Sequence, residues 1–394
     1  MQQKPQKKNN TSHKICIVND THAGARRDSP IFRDYQESFY KDIFFPYLKK
    51  NHIKTIFHLG DAFENRKEID VNTLNAHRKM FLEPLVENDI QMIIIPGNHD
   101  TYFKSTNKIN TLKEVFGYFT DNVRIIENPM DVNLYGTVFG FVPWINQENS
   151  AESIEFITKK SKASILLGHF ELNGFEMQKG ILSHADGEIN SVSLTETLNT
   201  KYEMVLSGHY HHKSNKGNIY YLGTQYEITW ADCDDPKYFH EFDCDNHLLT
   251  PIRNPYTIHK KIEYRNNEIP SNTTADQYKG KYVRVNVRQK NDPFMFDKFI
   301  QKIESFEPLE VKIADYSLIL KNNDDDSEET DNDTTSSLDE LSWKDTISFA
   351  HKHIDQSIDE TTTHIEKTKL KNLFNELFNE VILNKKESDN DSNT

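Results

Sequence analysis

Five short apolar runs within the first 211 residues each stop at metal-ligand side chains: Asp20-Thr21-His22, Gly60-Asp61, Gly97-Asn98-His99-Asp100, Gly168-His169 and Gly208-His209-Tyr210-His211. The runs themselves, Ile15–Val18, Thr55–Leu59, Met92–Ile95, Ser164–Leu167 and Met204–Leu206, are rich in Ile, Val, Leu and Phe and read as buried strands. A chain patterned this way must build a sheet whose strand ends gather polar side chains at one edge, where open α/β sheets bind ligands. A single Gly-His or Asp-x-His is ordinarily a turn beside a surface or core histidine. The joint pattern is different, because buried imidazoles and carboxylates with no shared cation would each cost several kcal/mol.

Between the strands the spacing predicts helices. Phe32, Tyr35, Phe39, Ile43 and Tyr47 form one stripe, and Val71, Leu74, Arg78, Phe81, Leu82 and Leu85 form another. With strands at Thr137–Val142 and Asn218–Leu222, residues 13–255 read as one α/β domain of packed sheet layers with helices outside. Residues 256–321 read as a small α+β module: an alternating strand at Tyr282–Val287, a helical pattern at Asp297–Phe306 and a second strand at Leu309–Ile313. Residues 322–337 hold no apolar side chain, so burial cannot offset ordering entropy and a disordered linker is expected. Residues 338–385 carry two amphipathic helical patterns, read as a docking element for a partner because two short helices alone are marginal. Residues 1–12 and 386–394 are expected to be flexible ends.

The net charge of −14 is unevenly placed, since the 19 acidic and 7 basic residues from Asn322 onward account for −12 of it. The catalytic part is therefore near neutral, and bound divalent cations would dominate its local field. The acidity does not exclude a nucleic-acid substrate. Cys16, Cys233 and Cys244 form no CxxC pair, which supports neither a disulfide framework nor a thiolate zinc site. No run approaches the ~20 apolar residues of a membrane span, and no signal-peptide pattern opens the chain, so the expectation is a cytoplasmic protein with no membrane partner.

Phosphodiester hydrolysis needs a nucleophile at neutral pH and charge relief on the phosphoryl oxygens, which two cations roughly 3.5–4 Å apart supply. Asp61 is the expected bridging carboxylate. Asp20, His22, Asp61 and His211 are assigned to one metal, and Asp61, Asn98, His169 and His209 to the other. This mixed oxygen and imidazole set suits two Mn²⁺, with Mg²⁺ or another divalent ion as a substitute. His99 is the expected catalytic residue that is not a ligand, stabilising the transition state or protonating the leaving oxygen. Asp100 is expected to orient a ligand or His99, Glu64 and Arg66 to support a ligand from behind or to position substrate, His58 to belong to its strand and His212 to lie on the surface.

These motifs resemble the calcineurin-like metallophosphoesterases, whose signature DxH, GDxx, GNHD/E, GH and GHxH is complete and in order here. The segment Gly60-Asp61-Ala62-Phe63-Glu64-Asn65-Arg66 departs from the GDxVDRG of Ser/Thr protein phosphatases. The closer likeness is to SbcD-type nuclease subunits of DNA recombination and repair complexes, especially those of bacteriophages. Gly168-His169-Phe170-Glu171-Leu172-Asn173-Gly174-Phe175, Tyr220-Tyr221-Leu222-Gly223-Thr224-Gln225-Tyr226 with Trp230, and Gly280-Lys281-Tyr282-Val283-Arg284-Val285 carry it.

That resemblance implies a metal-bearing two-layer β-sandwich flanked by helices, with a small capping domain beside a DNA groove and C-terminal helices. It implies a manganese-dependent 3′-to-5′ exonuclease and single-strand endonuclease, a homodimer, and an SbcC-like SMC-type ATPase bound through the C-terminal helices. Glu64 stands where many relatives have His or Asp, a position linked to handling the DNA end. No GxxxxGK[ST] loop occurs, so ATP hydrolysis would belong to the partner. The rival readings are a small-molecule phosphodiesterase or phosphatase of the same superfamily and a non-catalytic DNA-tethering scaffold.

Overall fold

The computed structural model describes residues 13–119, 121–183, 192–265 and 274–317. The chain divides into two units, Met1–Asp325 and Asp326–Thr394, and every described residue belongs to the first. The expectations for residues 1–12, 322–337, 338–385 and 386–394 fall outside the described residues.

The apolar runs form strands in two six-stranded sheets. One sheet is ordered Leu248–Arg253, Tyr238–Asp243, Lys14–Val18, Thr55–His58, Gln91–Ile94, Val123–Ile125, with parallel pairing from Lys14–Val18 onward and antiparallel pairing at the other edge. The other is ordered Ser214–Lys216, Ile219–Tyr221, Met204–Ser207, Ile165–Gly168, Thr137–Val142, Met130–Leu134, with an antiparallel strand at each edge. All five motif-bearing turns thus leave parallel-paired strands: Lys14–Val18, Thr55–His58 and Gln91–Ile94 are neighbours in the first sheet, and Ile165–Gly168 and Met204–Ser207 are neighbours in the second.

The period-2 pattern explains why these strands are apolar almost throughout. Ile15, Ile17, Phe57, Leu59 and Ile93 face the second sheet, where Phe139, Phe141, Ile165, Leu167 and Leu206 meet them. Their neighbours Cys16, Val18, Ile56, Met92 and Ile94 face the opposite way, under a helical layer that supplies Phe39, Phe44, Phe81 and Leu85. The second sheet is covered on its outer face by Phe156, Leu194 and Leu198, packed on Leu166 and Val205. The central strands of both sheets are buried on both faces, so polar alternation is lost there. The layering is helix, sheet, sheet, helix, as expected.

Both expected helical stripes are helices. Pro30–Phe39 runs through a π-type turn at Tyr40–Phe44 into Phe45–Lys50, and Val71–His77 runs through Arg78–Leu82 into Glu83–Glu87. Pro46 and Pro84 open the second segment of each. A proline ring clashes with the carbonyl four residues back and supplies no N–H, and the widened turn accommodates both.

Beyond the sandwich, His259–Arg265, Tyr282–Gln289 and Glu310–Asp315 form a parallel three-stranded sheet. The helix Pro293–Glu304 packs Phe296, Phe299 and Ile303 onto Tyr264, Val283 and Val285. The first of these strands carries no alternation strong enough to be anticipated from sequence. Its entry is fixed by buried Glu227, whose Oε2 accepts from the Ile258 and His259 amides at 2.8 Å each. Among the described residues no helix is long and apolar enough to cross a membrane. The three cysteines are free, as expected.

Candidate metal centre

Each strand that carries a candidate ligand ends in a tight turn, and the turns are stitched together by main-chain bonds. The Asp20 amide donates to Gly60 O at 2.9 Å, the His22 amide to Asp61 O at 3.1 Å and the Gly208 amide to Gly168 O at 3.1 Å. Asp20, His22, Asp61 and His209 all adopt left-handed backbone, with φ of 49°, 42°, 55° and 87°. Such conformations cost ~1–3 kcal/mol each for residues with a side chain and persist where the surroundings over-determine them. The glycines beside them are there for room. A Cβ on Gly97 would lie 2.2 Å from Asp61 Oδ1, and one on Gly60, itself at φ +91°, would lie 2.7 Å from Gly97.

All seven residues expected as ligands converge. His22 Nε2 lies 3.1 Å from His211 Nε2, 3.9 Å from Asp61 Oδ2 and 4.0 Å from Asp20 Oδ1. His169 Nε2 lies 3.3 Å from the same Asp61 oxygen, 2.9 Å from Asn98 Oδ1 and 3.3 Å from His209 Nδ1, which is itself 2.9 Å from Asn98 Oδ1. Asp61 Oδ2 therefore stands between two clusters. With metal–ligand bonds of about 2.1 Å, neighbouring donors around a divalent ion are ~3–3.5 Å apart, close to these separations.

The tautomers support a cation. His169 Nδ1 donates to Leu59 O at 2.8 Å, so Nε2 is the nitrogen that faces the Asp61 and Asn98 oxygens, where a proton or a metal ion has to stand between them. Acceptors so crowded in a buried site need a positive charge among them. The same field acts on the imidazoles. Burial would lower His169, but the Asp61 carboxylate overrides it and brings its pKa up to about 9. His22 also reaches about 9, where burial is outweighed by Glu64, Asp61 and Asp20. Burial alone would raise Asp61, yet His169, His99 and His22 hold its carboxyl well below the ordinary range. The residues present fit a pair of divalent ions.

The supporting residues take more specific places than the sequence suggested. Asp100 is fully buried, and the bonds its carboxylate accepts come from backbone amides. It accepts the amides of Asp61 at 2.7 Å, Ala62 at 2.9 Å and Gly97 at 2.9 Å, so it clamps two ligand turns by their backbones. Glu64 Oε2 lies 2.8 Å from His22 Nδ1, a charge pairing rather than a linear hydrogen bond. The ring of His99 is half-buried, with Nδ1 donating to the Glu64 carbonyl. Arg66 donates to Thr101 Oγ1 at 3.4 Å and lies over the Trp144 ring. His58, at its strand's end as expected, pairs with Thr21 Oγ1 at 3.0 Å. His212 is not a free surface residue: it bonds Asp235 Oδ1 at 3.0 Å and lies 3.3 Å from Glu176 Oε2.

Two residues with no motif to mark them belong to the same frame. Asn19 donates to Asp20 Oδ2 and to Gly223 O, fixing the carboxylate's rotation. Lys237, only 3% exposed, donates to His211 O at 2.9 Å, Asp232 Oδ1 at 2.6 Å and Asp235 Oδ2 at 2.8 Å. The only hint of its place in the sequence is a lysine embedded among aspartates at Asp232–Lys237.

Strand-end ligand turns on a helix-flanked double sheet define a metal-dependent phosphoesterase. The chain belongs to the calcineurin-like phosphoesterase family, whose model matches residues 13–213. It is 34% identical over 251 residues to "Exonuclease subunit 1" of Enterobacteria phage T4, a span covering 64% of this chain and 70% of that one. It is 29% identical over 163 residues to "DNA double-strand break repair protein Mre11" of Sulfurisphaera tokodaii, covering 39% of this chain and 40% of that one. A solved archaeal phosphodiesterase aligns with a TM-score of 0.33 and 13% identity, over 61% of this chain and 99% of that one.

Proposed function

We propose that this phosphoesterase is a manganese-dependent DNA nuclease, a 3′-to-5′ exonuclease and single-strand endonuclease that works as the nuclease subunit of an SbcCD-type complex. The observation that carries the reading is the placement of Asp61 Oδ2 between His22 and His169, at the junction of two donor clusters. Its DNA substrate is supported by the likeness to the phage exonuclease subunit and the archaeal repair protein. In this reading Asp20, His22, Asp61 and His211 hold one ion, and Asp61, Asn98, His169 and His209 hold the other. The bound pair supplies an activated water and relieves charge on the phosphoryl oxygens.

The chain's own groups do the rest. The His99 Nδ1–H is committed to the Glu64 carbonyl, so Nε2 is the nitrogen presented to substrate. When protonated, it donates to the phosphoryl or leaving oxygen. Glu64 turns His22 Nε2 toward the centre by pairing with Nδ1, and Asp100 fixes the backbones of Asp61 and Gly97. Residues 256–321 act as a cap shaping the DNA groove, residues 322–337 as a tether, and residues 338–385 as the element that binds an SMC-type ATPase. The nuclease works as a homodimer.

The test incubates the full chain and manganese with end-labelled DNA, alongside bis-p-nitrophenyl phosphate, with and without the cognate ATPase. Cleavage of the labelled strand is expected. Turnover of the small ester with the DNA left intact would contradict the nuclease reading.

A further inference from the structure

The hairpin of Thr101–Phe103 and Thr106–Asn110 begins one residue after Asp100 and has its polarity inverted. Thr101, Asn107 and Asn110 point inward, 0%, 8% and 1% exposed, while Tyr102, Phe103 and Ile109 are 39%, 39% and 51% exposed. A hairpin against a core ordinarily does the opposite. The inversion is locked by satisfied bonds: Asn107 Nδ2 donates to Trp144 O at 3.0 Å, Asn146 Nδ2 to Asn107 Oδ1 at 2.7 Å, and Asn110 Nδ2 to Asn107 O at 2.9 Å. Exposed apolar side chains held out this way mark an interaction surface.

Its chemistry selects the partner. The Tyr102 and Phe103 rings meet edge to face at 4.7 Å. Lys67 Nζ lies 5.8 Å from the Tyr102 centroid, and Lys104 is exposed at the turn. Aromatic faces beside ammonium groups suit the bases and phosphates of a single strand. Protein interfaces, by contrast, are depleted in lysine. The hairpin is also tied rigidly to the ligand turn: Thr101 Oγ1 donates to Asn98 O at 3.3 Å, the Thr111 amide to Asp100 O at 2.8 Å and the Trp144 amide to Pro96 O at 2.9 Å.

We propose that Tyr102 and Phe103 form a stacking platform for an unpaired base of the strand whose phosphate reaches the metal centre. This rests on the nuclease reading and adds to it a preference for strands with unstacked bases near the cut.

The experiment measures binding of a fluorescent single-stranded oligonucleotide to the full chain, with calcium replacing manganese so that the strand stays whole. Tyr102→Ala and Phe103→Ala should each weaken binding by ~5- to 150-fold, the range for losing a base–aromatic stack. Tyr102→Trp should restore it, and unfolding midpoints and manganese affinity should stay at the wild-type values. An oligonucleotide made abasic at successive positions should lose affinity for the wild type at one position and lose nothing further with the alanine variants. Equal binding by wild type and alanine variants, or no abasic position that matters, overturns the platform. So does unchanged oligonucleotide affinity with lost association to the ATPase, which would assign the hairpin to a protein contact. Wild-type chain that leaves DNA uncut under manganese defeats the nuclease reading instead.

Discussion

His22 is gripped from both ring nitrogens: Nε2 lies 3.1 Å from His211 Nε2, and Nδ1 lies 2.8 Å from Glu64 Oε2. A carboxylate on the far nitrogen of a ligating imidazole fixes its tautomer and raises its basicity, and losing such a partner costs ~10- to 100-fold in metal affinity or activity. Glu64→Gln keeps the shape and removes the charge. Calorimetric titration with manganese should show one binding step weakened by roughly that factor and the other nearly unchanged. Equal weakening of both steps would mean that Glu64 serves the whole centre rather than His22.

Gly97→Ala should be among the most damaging single-atom changes in the sandwich. Its Cβ would stand 2.2 Å from Asp61 Oδ1 and 2.4 Å from the Asp61 amide, in the space that the bridging carboxylate needs. Denaturant unfolding should show a loss of at least about 3 kcal/mol, the upper part of the range for overpacked sites. Manganese binding should fall with it.

His99→Ala should separate chemistry from binding. The ring meets the Glu64 carbonyl through Nδ1, and only the His99 amide contacts Asp61 Oδ1, at 2.7 Å, a bond that survives the substitution. DNA cleavage should fall by ~10²–10⁴, the range for removing a general acid, with manganese stoichiometry retained. Persisting cleavage would remove His99 from the catalytic role.

The Lys237 network sets an acid limit on stability. Burial alone would raise the Asp232 carboxyl, but Lys237 and His211 hold it down to about 2. Its folded pKa lies below the unfolded value of about 3.9, so its contribution is complete above that value and is lost as pH falls toward about 2. Lys237→Met should destabilise the fold by ~3–5 kcal/mol at neutral pH, since it strands buried carboxylates. In denaturant unfolding with a chelator present, the variant should also lose part of the wild type's stability decline between about pH 4 and pH 2.

The strand-end motifs made the double sheet and the convergence of seven candidate ligands readable in advance, because both depend on local patterns: short continuous apolar runs and the residue types that close them. The parts that depend on remote contacts stayed hidden. Asp100 could be singled out, but its partners are the amides of Asp61, Ala62 and Gly97, and no spacing rule announces a carboxylate bonded to backbone. Lys237 approaches His211 from 26 residues away in the chain, and the strand His259–Arg265 owes its start to Glu227. His212 looked exposed by its phase, yet Asp235 and Glu176 enclose it from other loops.

A pair of cations joined through Asp61 would show itself in electron paramagnetic resonance of the manganese-loaded full chain. Two manganese ions per chain with the spectrum of a spin-coupled pair are expected, with loss of the coupling in Asp61→Asn. A single bound ion, or two ions that show no coupling in the wild type, would contradict the bridged pair.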